Sequence, residues 1–221
     1  MLLDYTTTLF DAIVPLSGGI DSTAALYTTL KNNPNKNYLV FRIDMVHGTS
    51  GHRTTREAMA TEQILHWLQE EGFSNFGFRE LRIDYSQLGM MPPVWDSEVV
   101  NFAASLVIQA KPEIREFIEG AIYDDYIESG FDTRLDKIEK ILRLHTGKSK
   151  EYLQIVFPLK DMDKYQVMKS IPEGLLNLTW SCRYPKIVKA WTYGRCHKCP
   201  QCGVIDKVLE KHPGEFLNLD N

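Results

Sequence analysis

The amino-acid sequence predicts an α/β fold, a doubly wound parallel sheet with a C-terminal metal-binding segment, on three observations. Short apolar runs alternate with helix-compatible stretches over the first 145 residues, the pattern left by parallel strands joined through helical crossovers. The first apolar run ends at the paired glycines Gly18 and Gly19, where a strand can turn tightly into a helix. All four cysteines fall between Cys182 and Cys202, after 181 residues that contain none.

The elements follow in order. Asp11 to Leu16 reads as the first strand, and Ser22 to Lys31, without Pro or Gly, as the first helix. Tyr38 to Val46 is a second strand, and the polar loop from His47 to Arg53 leads into a helix on which Ala58, Ile64, Leu65 and Leu68 share a face. Gly77 to Tyr85 is expected as a third strand, Ser97 to Gln109 as a buried helix, and Glu116 to Tyr123 as a fourth strand. Thr133 to Leu144 carries Leu135, Ile138, Ile141 and Leu142 at helical spacing. Beyond about residue 145 the pattern loosens, with Pro158, Pro172, Pro185 and Pro200 near the cysteines, as expected of a tail folded around a metal.

Bulk properties narrow the function classes. The 221 residues carry a net charge of −4, so the chain lacks the broad positive field of a protein that holds a nucleic-acid backbone. A small-molecule substrate is favoured, and nucleic acid is not expected as the direct substrate. No run approaches the roughly 20 apolar residues of a membrane span. Met1-Leu2-Leu3-Asp4-Tyr5 lacks the basic start of a secretory signal. The expectation is a cytoplasmic protein without a membrane partner.

The segment Leu16-Ser17-Gly18-Gly19-Ile20-Asp21-Ser22-Thr23 carries the first chemical signal. Phosphates are well met by backbone N–H groups at a helix N-terminus, and glycines let that backbone approach closely. Ser17 and Ser22 add hydroxyl donors, whereas Asp21 suits a phosphate site chiefly if it helps hold Mg²⁺. The bland alternative is a Gly-Gly turn with a polar cap, which begins many helices. Placed directly after the first strand, the segment points to ATP with Mg²⁺, and the expected division is a nucleotide-binding α/β domain over 1–145 and a C-terminal segment over 146–221 packed into the same globule. A second glycine-lysine-serine, Gly147-Lys148-Ser149, imitates a Walker loop but has Leu142 where that motif needs glycine, so it reads as a helix end followed by a solvated lysine.

Cys182, Cys196, Cys199 and Cys202 are spaced C-x13-C-x2-C-x2-C. A tight turn can wrap the last three around one ion while Cys182 closes a tetrahedron, which describes a structural Zn²⁺ site. An iron–sulfur cluster is the main rival, although the cysteine-proline that usually follows in ferredoxins is missing. His197, inside the turn, is expected to point away from the metal.

The hexapeptide from Ser17 to Ser22 resembles the signature of the PP-loop, or N-type ATP pyrophosphatase, superfamily, which implies an adenine nucleotide alpha hydrolase-like fold and cleavage of ATP to AMP and pyrophosphate. Thr179-Trp180-Ser181-Cys182 followed by the three closely spaced cysteines resembles the 7-cyano-7-deazaguanine synthase family, a queuosine-pathway ligase family. The resemblance implies a homodimer that turns 7-carboxy-7-deazaguanine and ammonia into the nitrile. It assigns Lys164 to the departing pyrophosphate and Arg53 to phosphate, and it places substrate recognition on the stretch Tyr123 to Arg134, with Asp125, Asp132 and Arg134 as the candidates. Solvated or capping roles compete for each of these residues.

The chain departs from the family pattern around Thr49, at Pro93-Val94-Trp95-Asp96-Ser97, and in the lack of a proline and cysteine near Gly130. Three alternatives therefore stay open. The enzyme can stop at the amide or take another acid, it can adenylate a tRNA base, or the chain can be a non-catalytic, zinc-containing nucleotide-binding protein.

Overall fold

In the computed structural model the described residues are 2–47, 52–88, 96–128, 131–189, 192–216 and 219, with the side chains of 88, 126–128, 131–135 and 189 outside the description. The chain runs β1 (Ala12–Pro15), α1 (Ile20–Asn32), β2 (Tyr38–Val46), α2 (His52–Glu70), β3 (Phe76–Asp84), α3 (Asp96–Ala110), β4 (Glu116–Ile118), α4 (Tyr123–Glu128), α5 (Phe131–Thr146) and β5 (Gln154–Val156). It continues through α6 (Lys164–Ser170), α7 (Glu173–Leu176), β6 (Lys186–Lys189), β7 (Thr192–Gly194) and α8 (Pro200–Lys211).

Five strands form one sheet in the order β3-β2-β1-β4-β5, and every pair is parallel. Alternation along the central strands divides the core between the two faces. Ala12 and Val14 of β1 and Val40 of β2 pack with α1, α2, α6 and α8, whereas Ile13, Leu39 and Phe41 pack with α3 and α5. The four cysteines share the first of these cores, so the C-terminal segment packs on the same sheet. The architecture is the doubly wound α/β fold expected.

Strand order reverses between β1 and β4. In open α/β sheets, ligands bind beyond the carboxyl ends of the strands at such a switch point. The glycine loop after β1 and the Glu119-Gly120 turn after β4 meet there. A Cβ on Gly120 would lie 3.1 Å from the Asp21 carbonyl oxygen and 3.2 Å from Ser22 Cα, so a side chain at 120 would push against the first turn of α1.

Three expectations need correction. The fourth strand ends at Ile118, because Ala121 and Ile122 are buried as irregular chain and Tyr123 already begins α4. The loosened tail contains a fifth sheet strand, β5, paired with β4 from Glu116↔Gln154 to Ile118↔Val156. Gly147 does end α5 with φ +66, but Lys148 is not a solvated lysine: its Nζ donates to the carbonyls of Pro112 at 2.6 Å and Ile114 at 3.0 Å.

Candidate nucleotide site and cysteine cluster

Glycine at the N-cap gives α1 no side chain with which to close its own first turn, and Gly19 makes no side-chain cap. Serines take over that task. Gly19 N–H donates to Ser17 Oγ at 3.3 Å, Ser17 N–H donates to Ser22 Oγ at 3.2 Å, and the two hydroxyls lie 3.0 Å apart. Gly18 has φ +79, and a Cβ there would sit 3.0 Å from both Ala60 Cβ and the Glu57 carbonyl oxygen. Only glycine fits without displacing α2. Thr23 is buried, its hydroxyl donating to the Gly19 carbonyl at 2.8 Å.

Lys164 opens α6, where the helix dipole disfavours a cation. Its place is explained by what it meets: Nζ lies 2.6 Å from each oxygen of Asp21, the lysine side chain being 5% exposed and the aspartate 29%. Asp163 caps α6 through a capping box with Gln166, and the Lys164 N–H donates to Asp124 Oδ2 at 3.0 Å.

Thr179-Trp180-Ser181-Cys182 touches the loop directly. Trp180 N–H donates to the Gly18 carbonyl at 2.7 Å, and Ile20 N–H donates to Ser181 Oγ at 3.2 Å. The Arg56 guanidinium stacks 4.5 Å from the centre of the Trp180 ring.

Leu16, Ser17, Gly19, Ile20, Asp21, Ser22, Arg53 and Asp125 line one cleft, with Phe41, Ile43 and Met45 as an apolar wall. Gly18 and Thr23 do not line it. Arg53 is engaged by carboxylates: Nε donates to Glu57 at 2.7 Å and a terminal nitrogen to Asp96 at 2.6 Å. Burial works against the guanidinium charge, but Glu57 and Asp96 outweigh it and raise the Arg53 pKa. Burial pushes the Glu57 pKa up against the pull of Arg53. Asp125 Oδ2 accepts from Ile122 N–H at 3.1 Å. Asp132 and Arg134 lie on α5, with side chains outside the described residues. Thr49, Pro93, Val94, Trp95 and Gly130 also lie outside them.

Sequence reasoning did not single out Glu57, Asp96, Glu119, Arg183 or Gln201, all of which line the cleft. Each is a common surface residue type with no local motif. Ser181 was part of a recognised tetrapeptide, yet nothing in the sequence tied it to Ile20.

Behind the loop, the four cysteine sulfurs lie within 4.8 Å of one another and are buried, unjoined by any disulfide. Cys196 and Cys202 sulfurs are 3.8 Å apart. Four thiolates around one ion with metal–sulfur bonds of about 2.3 Å would be separated by roughly that distance. Backbone N–H groups of Cys196, Lys198, Cys199 and Cys202 point at cysteine sulfurs over 3.2 to 3.4 Å, as suits thiolate ligands. Burial pushes the Cys182 thiol up to about 12. Burial also acts on Cys196, but the N–H groups of Lys198 and Cys199 bring it down to about 6. His197 has φ 54 and turns its Nδ1 to Asp206 at 3.2 Å, away from the sulfurs. The donor set fits a single thiophilic ion.

No family model matches the chain, and no curated protein matches it in sequence. Among solved structures, the U34-tRNA thiolase NcsA from Methanococcus maripaludis, determined with its 4Fe–4S cluster, superposes with TM-score 0.55 over 93% of this chain and 67% of its own, at 15% identity. The two share a fold. An NMN synthetase from Francisella tularensis is more distant, with TM-score 0.47 at 14% identity over 80% of this chain and 68% of its own. Among the described residues no helix is long and apolar enough to cross a membrane.

Proposed function

We propose that the chain is an ATP-dependent adenylating enzyme that releases pyrophosphate into the Ser17–Ser22 loop, with 7-carboxy-7-deazaguanine as the activated acid and ammonia as the nitrogen donor. The observation that carries this reading is the meeting of two motifs about 160 residues apart: Trp180 and Ser181 hydrogen-bond to Gly18 and Ile20. The tetrapeptide that suggests the deazaguanine acid is thus built into the wall of the phosphate site.

The chemistry asks for positioning and charge neutralisation more than for a strong nucleophile. A substrate carboxylate oxygen attacks the α-phosphorus of ATP, and the bond to the β-phosphate oxygen breaks, releasing pyrophosphate. Lys164 and the amides at the head of α1 neutralise the departing group, and Asp21 helps hold Mg²⁺. Ammonia then attacks the acyl carbon, AMP leaves, and a proton passes to solvent to give the amide. A second ATP activates the amide oxygen in the same way, and loss of AMP with the remaining N–H protons leaves the nitrile. Asp125 on the cleft wall and Asp132 are assigned to the donor-rich edge of the base, and Arg134, which can only donate, to an acceptor on the substrate.

Zn²⁺ is the ion assigned to the four cysteines. Close approach of the sulfurs supports this, because a cluster, with each thiolate outside a separate iron, needs them farther apart. Its role is structural, since four protein ligands leave no open position.

Incubation with ATP, Mg²⁺, ammonia and 7-carboxy-7-deazaguanine, followed by mass analysis, tests the reading. The expected products are AMP, pyrophosphate and the nitrile. An amide product would restrict the reaction to its first half, AMP formed only with another acid or a tRNA would replace the substrate, and ATP binding without AMP would overturn the enzyme.

A further inference from the structure

The first amide of α1 is capped from the other end of the chain. Gly19 has no side chain to do this, and Ile20 N–H is taken by Ser181 Oγ at 3.2 Å. A hydroxyl accepts and donates at once. Among the described residues no protein acceptor takes the Ser181 proton, and the side chain lines the cleft beside Ser17 and Asp21. Its hydroxyl therefore keeps a donor to offer beside the helix N-terminus, a place that favours anionic oxygens.

Ser181 does not hold this position alone. Trp180 N–H grips the Gly18 carbonyl at 2.7 Å, and the Trp180 ring N–H closes back on the Cys182 carbonyl at 3.0 Å. The next side chain is the buried Cys182 thiol, whose sulfur accepts from Cys196 N–H at 3.2 Å. A bond from Cys182 to a metal would thus fix the residue adjacent to the one that caps the phosphate loop.

We propose that Ser181 is a pyrophosphate-binding residue and that metal at the four cysteines holds it in place, so that metal occupancy sets the affinity of the loop for the pyrophosphate end of ATP. This rests on the ATP reading above and adds to it a coupling between two sites that otherwise share no side chain. By linkage the coupling is reciprocal, so pyrophosphate must also be felt at the metal.

The test is calorimetric titration of the metal-loaded protein with Mg²⁺-pyrophosphate, Mg²⁺-ATP and AMP, for the wild type and Ser181→Ala, with metal content measured in each. Loss of one hydrogen bond to a charged group predicts about a tenfold weaker binding of pyrophosphate and ATP, with AMP affinity and metal content unchanged. Removing the metal with a chelator should produce the same selective loss. Should the stripped protein unfold, cobalt-substituted protein decides the coupling: pyrophosphate is expected to shift the thiolate-to-cobalt absorption of the wild type and not that of Ser181→Ala. Equal pyrophosphate affinity in both proteins, or a cobalt spectrum indifferent to bound pyrophosphate, overturns the proposal while leaving the ATP reading intact. A wild type that binds neither ATP nor pyrophosphate would sink the ATP reading itself.

Discussion

Lys164 reaches both carboxylate oxygens of Asp21 at 2.6 Å across 143 residues of chain. The lysine is buried and the aspartate lines the cleft; under the proposed function a metal-nucleotide would divide the pair, the cation turning to phosphate and the carboxylate to Mg²⁺. Lys164→Met should lower AMP formation on the order of 100-fold, the scale of losing one transition-state donor. Single-turnover measurement of AMP release checks this, and a variant within twofold of wild type would remove Lys164 from the reaction.

Gly18→Ala combines φ +79 with a Cβ 3.0 Å from α2 atoms. Strain of this kind costs about 1–3 kcal/mol, and the displaced loop should lose ATP binding. Gly214 shares a positive φ of 82 but has nothing within 4 Å. Gly214→Ala should therefore cost less in thermal melts and leave ATP binding alone.

Arg53 and Glu57 sit at 14% and 15% side-chain exposure. Removing the cation alone leaves a carboxylate with little water, so Arg53→Met should destabilise by about 3 kcal/mol. Arg53→Met with Glu57→Gln should recover part of that loss, and additive effects in a double-mutant cycle would argue against the pairing.

Metal analysis should find one ion per chain. Cys199→Ser should lose it and lower the melting temperature by on the order of 10 °C. His197→Ala should keep the ion, because that imidazole faces Asp206. Loss of the ion from His197→Ala would make the histidine a ligand.

Much of the fold was legible because its elements are long or local. Tyr38 to Val46 carries nine residues of strand pattern and has the expected bounds. β5 escaped because three residues at a sheet edge, Gln154 to Val156, are too few to show a period. The fourth strand was overextended because Ala121 and Ile122 are apolar for packing and not for pairing. At the site, the glycine loop and the cysteines were legible as contiguous motifs. Glu57, Asp96 and Glu119 were not, since only the sheet order brings α2, α3 and the end of β4 to one opening.

The β6–β7 hairpin lies between Cys182 and Cys196, and both of its ends return to the metal site, Cys196 N–H reaching the Cys182 sulfur at 3.2 Å. The spacer of thirteen residues is thereby a closed excursion. Doubling such a loop costs only about 0.6 kcal/mol in closure entropy, so its length is nearly free to drift. An inserted tag or a shortened turn there should leave the sulfur geometry untouched, which makes the hairpin the natural port for attaching new sequence to this chain.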